Sequence, residues 1–223
     1  MSLMKNLISG TNFDHTSLNA LQKVTLRAVI VSFLFYGLVA LEGMIMRMVQ
    51  AHSTLIPEQF NHPDHYFSIM TVHPIVGIFG STYQLVFAAF TFLVPFLTKK
   101  PLYSVKLANW TWGLITGGTA LAWIAAFVWA YAPLYTLYWP LPADTQQFSA
   151  IGGIVFIIGV ALIMLGTFGF IYNIYATIFA RVGVHANKTT KELLISGFGI
   201  DGMLNLWHKL TGCLLYTSPS PRD

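Results

Sequence analysis

Residues 148–180, FSAIGGIVFIIGVALIMLGTFGFIYNIYATIFA, contain no charged side chain and decide the fold class of this chain. A helix needs about 20 apolar residues to cross the hydrocarbon core of a bilayer. Backbone polar groups in lipid must be paired internally, so a continuous apolar run of this length predicts a membrane-spanning helix. A strand of a β-barrel would alternate polar and apolar residues, and this stretch does not.

Three further apolar runs precede this stretch, at about residues 25–49, 66–97 and 107–132. Of the 223 residues, 55% are hydrophobic and only 9% are charged, and the mean hydropathy is +0.63. Soluble domains carry about 25% charged residues, so this composition excludes a soluble enzyme and a nucleic-acid-binding domain despite a pI near 9.2. We predict an all-α, polytopic membrane helical bundle with four transmembrane helices.

The distribution of Lys and Arg predicts how these helices are oriented. The connections at residues 50–65 and 133–147 contain no Lys or Arg. The remaining flanks carry Lys5, Lys23 and Arg27, then Lys99, Lys100 and Lys106, and finally Arg181, Lys188 and Lys191. Because Lys and Arg accumulate on the cytoplasmic side, we expect a multi-pass protein of the cell membrane with a cytoplasmic N-terminus.

The last residues, 213–223, read CLLYTSPSPRD and follow no membrane pattern. They resemble a translated transposase adapter from DNA sequencing libraries, so they are excluded from the fold prediction. We expect the protein to continue beyond about Gly212. The predicted organisation is a cytoplasmic N-terminal segment (1–24), a four-helix transmembrane part (25–181), a cytoplasmic connection towards a fifth helix (182–212) and this tail.

Ionisable residues at membrane depth are costly, so each one is a functional candidate. The spans contain three: Glu42, Arg47 and His73. Glu42 and Arg47 are five residues apart and do not share a helix face well enough to pair. Arg47 is alternatively a snorkelling residue near a helix end. Glu42 is alternatively a protonated carboxyl group hydrogen-bonded to a neighbouring helix.

His73 lies about two turns inside the second span, and Gly77, Gly80 and Gln84 follow it on the same α-helical face. A histidine above two glycines leaves a flat surface beside an imidazole, which suits a planar macrocycle whose iron is held axially. Pro74 leaves the carbonyl of Met70 without its helical donor, so we expect a bend there. A histidine that only packs and hydrogen-bonds remains the alternative.

Other candidates have simpler interpretations. The outer connection contains His52, His62 and His65, which could bind a metal but are more simply solvated side chains of an exposed loop. Gly113 and Gly117 form a Gly-x-x-x-Gly pattern, which predicts close helix packing.

Several motifs in chain order resemble subunit I of the haem–copper terminal oxidases, which has about twelve helices. The similarity covers about residues 25–181 and the first four helices of that family. Its motifs are Met46-Arg-Met-Val-Gln50, Ile69-Met-Thr-Val-His73, Phe92-Leu-Val-Pro95, Lys106-Leu-Ala-Asn109 with Trp112, Leu134-Tyr-Thr-Leu-Tyr-Trp-Pro-Leu141 and Leu165-Gly-Thr-Phe-Gly-Phe-Ile171.

The resemblance implies the core subunit of a respiratory terminal oxidase. Such enzymes reduce dioxygen to water with electrons from cytochrome c, a cupredoxin or quinol, translocate protons, and work with other subunits such as subunit II. His73 then corresponds to an axial ligand of the low-spin haem, a or b, and Arg47 lies at the periphery of that haem. The high-spin haem and copper belong to later helices, so this part of the chain is not expected to be competent alone.

Two departures from the pattern are informative. Leu102 stands where many members have Asp, and Gly169 stands where they have Asn on the fourth helix, while Asn109 is a shifted match on the third. These differences favour the divergent B-type oxidases. The alternatives are a nitric oxide reductase large subunit, which belongs to the same superfamily, and a non-catalytic four-helix haem-binding membrane protein.

Overall fold

The computed structural model describes residues 19–52, 54–98, 100–133 and 149–180, together with the separate positions 192, 195, 203 and 207. The segment 1–18, the 134–141 motif, most of the predicted 182–212 connection and the 213–223 tail lie outside the described residues. Five of the Lys and Arg residues that predict the orientation are also outside them: Lys5, Lys99, Arg181, Lys188 and Lys191.

Four long helices form the described part of the chain, and it contains no strand. They are α1 (Ala20–Gln50), α2 (Pro63–Thr98), α3 (Val105–Trp129) and α4 (Ala150–Phe179). Each helix is long and apolar enough to cross a membrane. The predicted all-α, polytopic class with four spans is confirmed, and the protein is a multi-pass membrane protein.

Polar side chains fix where three of these helices begin. At α1, Gln22 N–H donates to Asn19 Oδ1 at 2.8 Å and Asn19 N–H donates to Gln22 Oε1 at 3.0 Å, which is a capping box. Ser104 accepts from Leu107 N–H before α3, and Ser149 does the same for Gly152 before α4. These bonds satisfy amide groups that the first helical turn leaves without partners.

α2 is not a uniform α-helix. Residues Val76–Thr82 form a π-helical stretch between the α-helical parts Pro63–Ile75 and Tyr83–Thr98. The stretch begins shortly after Pro74, which has no N–H to donate and so weakens the regular ladder at this point. Ser32 Oγ of α1 donates to the carbonyl of Ser81 at 2.9 Å, which supplies a partner inside the irregular stretch. The irregularity after Pro74 is a wider helix, and the expected bend stays a prediction.

α1, α2 and α3 meet in an apolar cluster formed by Val72 and Val76 of α2 and Ala126 of α3. Phe35, Leu38 and Val39 of α1, with Trp123 and Phe127 of α3, pack around it. This cluster surrounds the stretch of α2 that contains His73. The site described below therefore lies at a junction of three helices.

α3 and α4 share the most extensive interface of the described helices. A Cβ atom on Gly118 would lie 2.5 Å from the carbonyl oxygen of Gly159, and one on Gly159 would lie 2.7 Å from that of Gly118. Only glycine allows this backbone approach. Gly113 and Gly117 have open space around them, so the predicted Gly-x-x-x-Gly contact is wrong for the helices described. The close contact uses Gly118 because the face of α3 towards α4 is rotated by one residue from the predicted one.

The short connection between α2 and α3 is tied to the end of α4. Asn173 Oδ1 accepts from Ser104 N–H at 3.1 Å, and its Nδ2–H donates to the Ser104 carbonyl at 2.9 Å. Thr177 Oγ1 accepts from Tyr103 N–H at 2.9 Å, and Lys100 Nζ donates to the Ile178 carbonyl. Backbone polar groups of an irregular segment thereby find partners on a neighbouring helix.

Candidate functional site

Glu42 of α1 is the acidic side chain at the centre of the candidate site. The side chain is only 1% exposed, although a buried carboxyl group is costly unless it is hydrogen-bonded. Trp123 of α3 provides one such bond, because its Nε1–H donates to Glu42 Oε1 at 2.8 Å. The prediction that Glu42 hydrogen-bonds to a neighbouring helix agrees with this geometry.

His73 of α2 faces the other oxygen of the same carboxyl group. Its Nδ1 atom lies 3.4 Å from Glu42 Oε2. Both atoms are buried, and neither has a hydrogen-bond partner of good geometry within the described residues. Buried polar groups in proteins are nearly always paired, so these two atoms are each other's natural partners. A shift of a few tenths of an ångström would bring them into hydrogen-bond range.

The backbone near His73 explains how the ring approaches α1. A Cβ atom placed on Gly43, next to Glu42, would lie 3.5 Å from His73 Cε1, so the ring passes close to the backbone of α1. His73 occupies the last turn of the first α-helical part of α2, directly before the π-helical stretch. π-Helical turns inside α-helices occur frequently at functional sites.

The ring of His73 is only partly enclosed. About 32% of the side chain is exposed, while Nδ1 itself is buried. The accessible surface therefore belongs to other atoms of the side chain. With Nδ1–H turned towards Glu42, a neutral imidazole has its lone pair on Nε2, which is the donor atom that a metal needs.

Comparison with known proteins shows the family of this chain. A sequence model of the family described as Cytochrome C and Quinol oxidase polypeptide I matches residues 23–207. The chain belongs to this family.

Two curated relatives support membership of the oxidase polypeptide I family. The chain is 31% identical over 174 residues to "Cytochrome c oxidase subunit 1 homolog, bacteroid" of Bradyrhizobium diazoefficiens, covering 71% of this chain and 28% of the relative. It is 27% identical over 172 residues to "Cytochrome c oxidase subunit 1" of Rhodobacter capsulatus, covering 69% of this chain and 29% of the relative. The chain thus spans less than a third of the length of these relatives. No solved structure matches.

Arg47, the other charged candidate of this oxidase-family chain, lies away from the carboxyl group. It is exposed near the end of α1, and its Nη1–H donates to Gln50 Oε1 at 3.0 Å. Gln50 Nε2–H in turn donates to the hydroxyl oxygen of Tyr66 at 2.7 Å, so this chain of bonds joins the ends of α1 and α2. As the spacing predicts, no ion pair joins Arg47 to Glu42 in the described structure.

The two glycines predicted to lie beside the imidazole face α1. A Cβ atom on Gly80 would lie 2.8 Å from the ring of Phe35, and one on Gly77 would lie 3.7 Å from Val39. His73 also faces α1, since its ring passes close to Gly43, so the side chains of α1 lie against the surface predicted beside the imidazole. The predicted role of these glycines towards a haem stays a prediction.

Gln84, the last residue of the predicted face, lies in the α-helical part that follows the π-helical stretch. It is buried, and its Nε2–H donates to Thr116 Oγ1 of α3 at 3.1 Å. The amide therefore joins α2 to α3 and does not extend the surface next to His73.

Trp123 is the one member of the site that the sequence analysis did not identify. Its signal is its position, since it lies well inside an apolar span and not in an interfacial aromatic belt. An indole N–H in such surroundings needs an acceptor, and Glu42 is the only acidic side chain in the four spans between their ends.

The histidines of the outer connection form no comparable site. His62 Nδ1 lies 3.2 Å from Asp64 Oδ2, and both side chains are about two thirds exposed, at 64% and 66%. Within the described part of the chain, no group of three or more His, Cys, Asp or Glu side chains could hold a metal ion.

Proposed function

We propose that the complete protein is the core subunit of a respiratory terminal oxidase and that His73 is one axial ligand of its low-spin haem. One observation carries this proposal. His73 is the only histidine in the interior of the described helices, and its buried Nδ1 atom faces a carboxylate oxygen. The remaining ring nitrogen is then the one that binds iron.

The residues present fit such a group. His73 Nδ1 is buried without a hydrogen-bond partner and faces a carboxylate oxygen that also has none. A carboxylate at the second ring nitrogen is a usual arrangement for a metal-binding histidine. When bound, the haem would supply one-electron redox chemistry. Arg47 would approach its periphery from the end of α1, and Gly77 would lie one turn beyond the ligand.

The family membership and the length of the relatives support the wider assignment. The chain covers 28% and 29% of the two oxidase subunits that it matches. We therefore assign the second axial ligand, the high-spin haem and the copper site to helices outside this sequence. The electron donor is a cytochrome c, a cupredoxin or a quinol, and the chain works with other subunits such as a subunit II-like protein. Four helices alone are then not competent in dioxygen reduction.

Proton translocation by a B-type route is the finer part of the proposal. Leu102, at the position where many members of the family have Asp, is buried in an apolar cluster with Phe170 and Ile174 of α4. A Cβ atom on Gly169 would lie 2.5 Å from Thr111 Cγ2, so a longer side chain at this position does not fit unless Thr111 moves. Both positions support a proton path through the later helices.

The test is His73→Ala in the complete, membrane-assembled oxidase. We expect loss of the reduced absorption band of the low-spin haem and loss of dioxygen consumption, while the protein still inserts into the membrane. His62→Ala is the matched control, because His62 is an exposed histidine of the same chain and should leave both properties unchanged.

Two results would contradict the proposal. A His73→Ala protein with a normal low-spin spectrum would show that another residue holds the haem. Turnover of nitric oxide by the purified complex, without dioxygen reduction, would assign it to the nitric oxide reductases.

A further inference from the structure

The carboxyl group of Glu42 has a geometry that simple helix packing does not require. Its two oxygens face N–H groups from two different helices, Trp123 of α3 and His73 of α2. The side chain is 1% exposed. Joining α1 to α3 would need only one neutral acceptor, and a neutral residue would avoid the cost of burying a carboxyl group.

The chemistry of the three groups fixes the direction of each interaction. An indole N–H can only donate, and an ionised carboxylate can only accept. Trp123 therefore occupies Oε1 and leaves Oε2 for the imidazole. When the carboxylate is ionised, the facing atom of His73 carries the ring proton, because two acceptors at 3.4 Å would repel each other.

We propose that Glu42 is a positioning residue for the haem ligand. Its carboxylate, held by Trp123, accepts a hydrogen bond from Nδ1–H of His73, which fixes the tautomer and the plane of the ring. It also makes Nε2 a stronger electron donor to iron. This inference rests on the proposed function, because it requires His73 to bind the haem.

The proposal has a consequence for the reduction potential of the haem. A carboxylate partner raises the basicity of a ligating imidazole. A more basic ligand stabilises ferric over ferrous iron, and hydrogen bonding beyond the ligand is one of the means by which proteins set haem potentials. Glu42 therefore lowers the midpoint potential of the low-spin haem.

The experiment compares two substitutions in the complete oxidase. Glu42→Gln keeps the shape of the side chain but removes the negative charge, so we expect the low-spin haem to be retained with a higher midpoint potential. Trp123→Phe removes the donor to Oε1 and leaves more negative charge for the imidazole, so we expect a lower midpoint potential. Spectroelectrochemical titration measures both shifts, and electron paramagnetic resonance of the ferric haem reports the change in its axial ligand.

Matched controls come from the same chain. Glu58→Gln removes an exposed carboxylate from the outer connection, and Trp110→Phe alters a tryptophan that is 63% exposed. Neither change should alter the midpoint potential or the resonance signal.

The outcomes separate this inference from the proposed function. Opposite shifts in the two variants support the role of Glu42, because a purely structural residue would change haem content or stability and leave the potential of the bound haem unchanged. An unchanged potential in both variants, with loss of the haem in His73→Ala, overturns this inference alone. A normal low-spin haem in His73→Ala overturns both. If Glu42→Gln does not assemble, the Trp123→Phe titration decides, and an unchanged potential contradicts the role.

Discussion

Single polar side chains hold distant segments of this protein together in an apolar environment. Glu42 does so at the candidate site, and Asn173 does so where α4 meets the connection between α2 and α3. In both cases a buried group makes contact with more than one hydrogen-bonding atom. Leaving such groups unpaired costs about 1–3 kcal/mol each, so these residues contribute more to stability than their number indicates.

Asn173 provides the first prediction at this scale. The side chain is 2% exposed and bonds both the N–H and the carbonyl of Ser104. Asn173→Leu keeps the volume but leaves the Ser104 N–H unpaired, while the Ser104 carbonyl keeps its bond from Ala108 N–H, so we expect a loss of about 1–3 kcal/mol in the free energy of unfolding. Thermal unfolding of the detergent-solubilised protein measures the loss.

The control for Asn173 is Asn109→Leu. Asn109 is half-buried, and its Nδ2–H bonds the Val105 carbonyl within the same helix. A smaller effect is expected, because the Val105 carbonyl keeps its place in the α-helical ladder. An Asn173→Leu protein as stable as the unchanged protein would show that the Ser104 contacts are not important for stability.

Whole helices depend on glycine for one contact and on proline for one irregularity. Gly118 and Gly159 bring the backbones of α3 and α4 together, and Pro74 precedes the π-helical part of α2. Gly80, inside the π-helical part, lies against Phe35 of α1, so this part of α2 packs on α1. Close helix contacts in this protein therefore depend on glycine.

The α3–α4 contact gives a prediction with a control at the next residue. Gly118→Ala places a methyl group 2.5 Å from the Gly159 carbonyl oxygen, and we expect a destabilisation of about 1–3 kcal/mol from overpacking. Gly117→Ala meets open space and should be neutral or slightly stabilising, because alanine favours helix. Thermal denaturation of both variants in the same detergent makes the comparison.

If the Gly118→Ala and Gly117→Ala proteins had the same midpoint temperature of unfolding, the result would contradict the close contact between Gly118 and Gly159. The predicted ranking reverses the expectation from the Gly-x-x-x-Gly pattern, which assigns the contact to Gly117. The two positions therefore decide between the sequence pattern and the observed helix register.

At the scale of the whole molecule, four helices are long and apolar enough to cross a membrane, and the distribution of Lys and Arg predicts their orientation. We expect reporter fusions after about Glu58 and after about Asp144 to report an external location. Fusions after Lys100 and after Lys188 should report a cytoplasmic location. A fusion at Lys100 that reports an external location would contradict the predicted orientation of the helices.

The sequence by itself determined the number of spans, the all-α class and two of the three members of the candidate site. Length and hydropathy suffice for this, because each apolar run must satisfy its own backbone within lipid. Glu42 and His73 were both identified as candidates, since a charge at membrane depth is costly wherever it lies. The similarity of ordered motifs also indicated the family that the comparisons establish.

Only the tertiary structure decided which of these residues meet. Glu42, His73 and Trp123 lie on three different helices, and no spacing within one helix indicates contacts between helices. The neighbours of Gly80 and Gly118 were likewise beyond the sequence, because they depend on how α2 packs on α1 and α3 on α4. A periodic pattern gives the face of a helix only while its period holds, and its partner depends on how the helices pack.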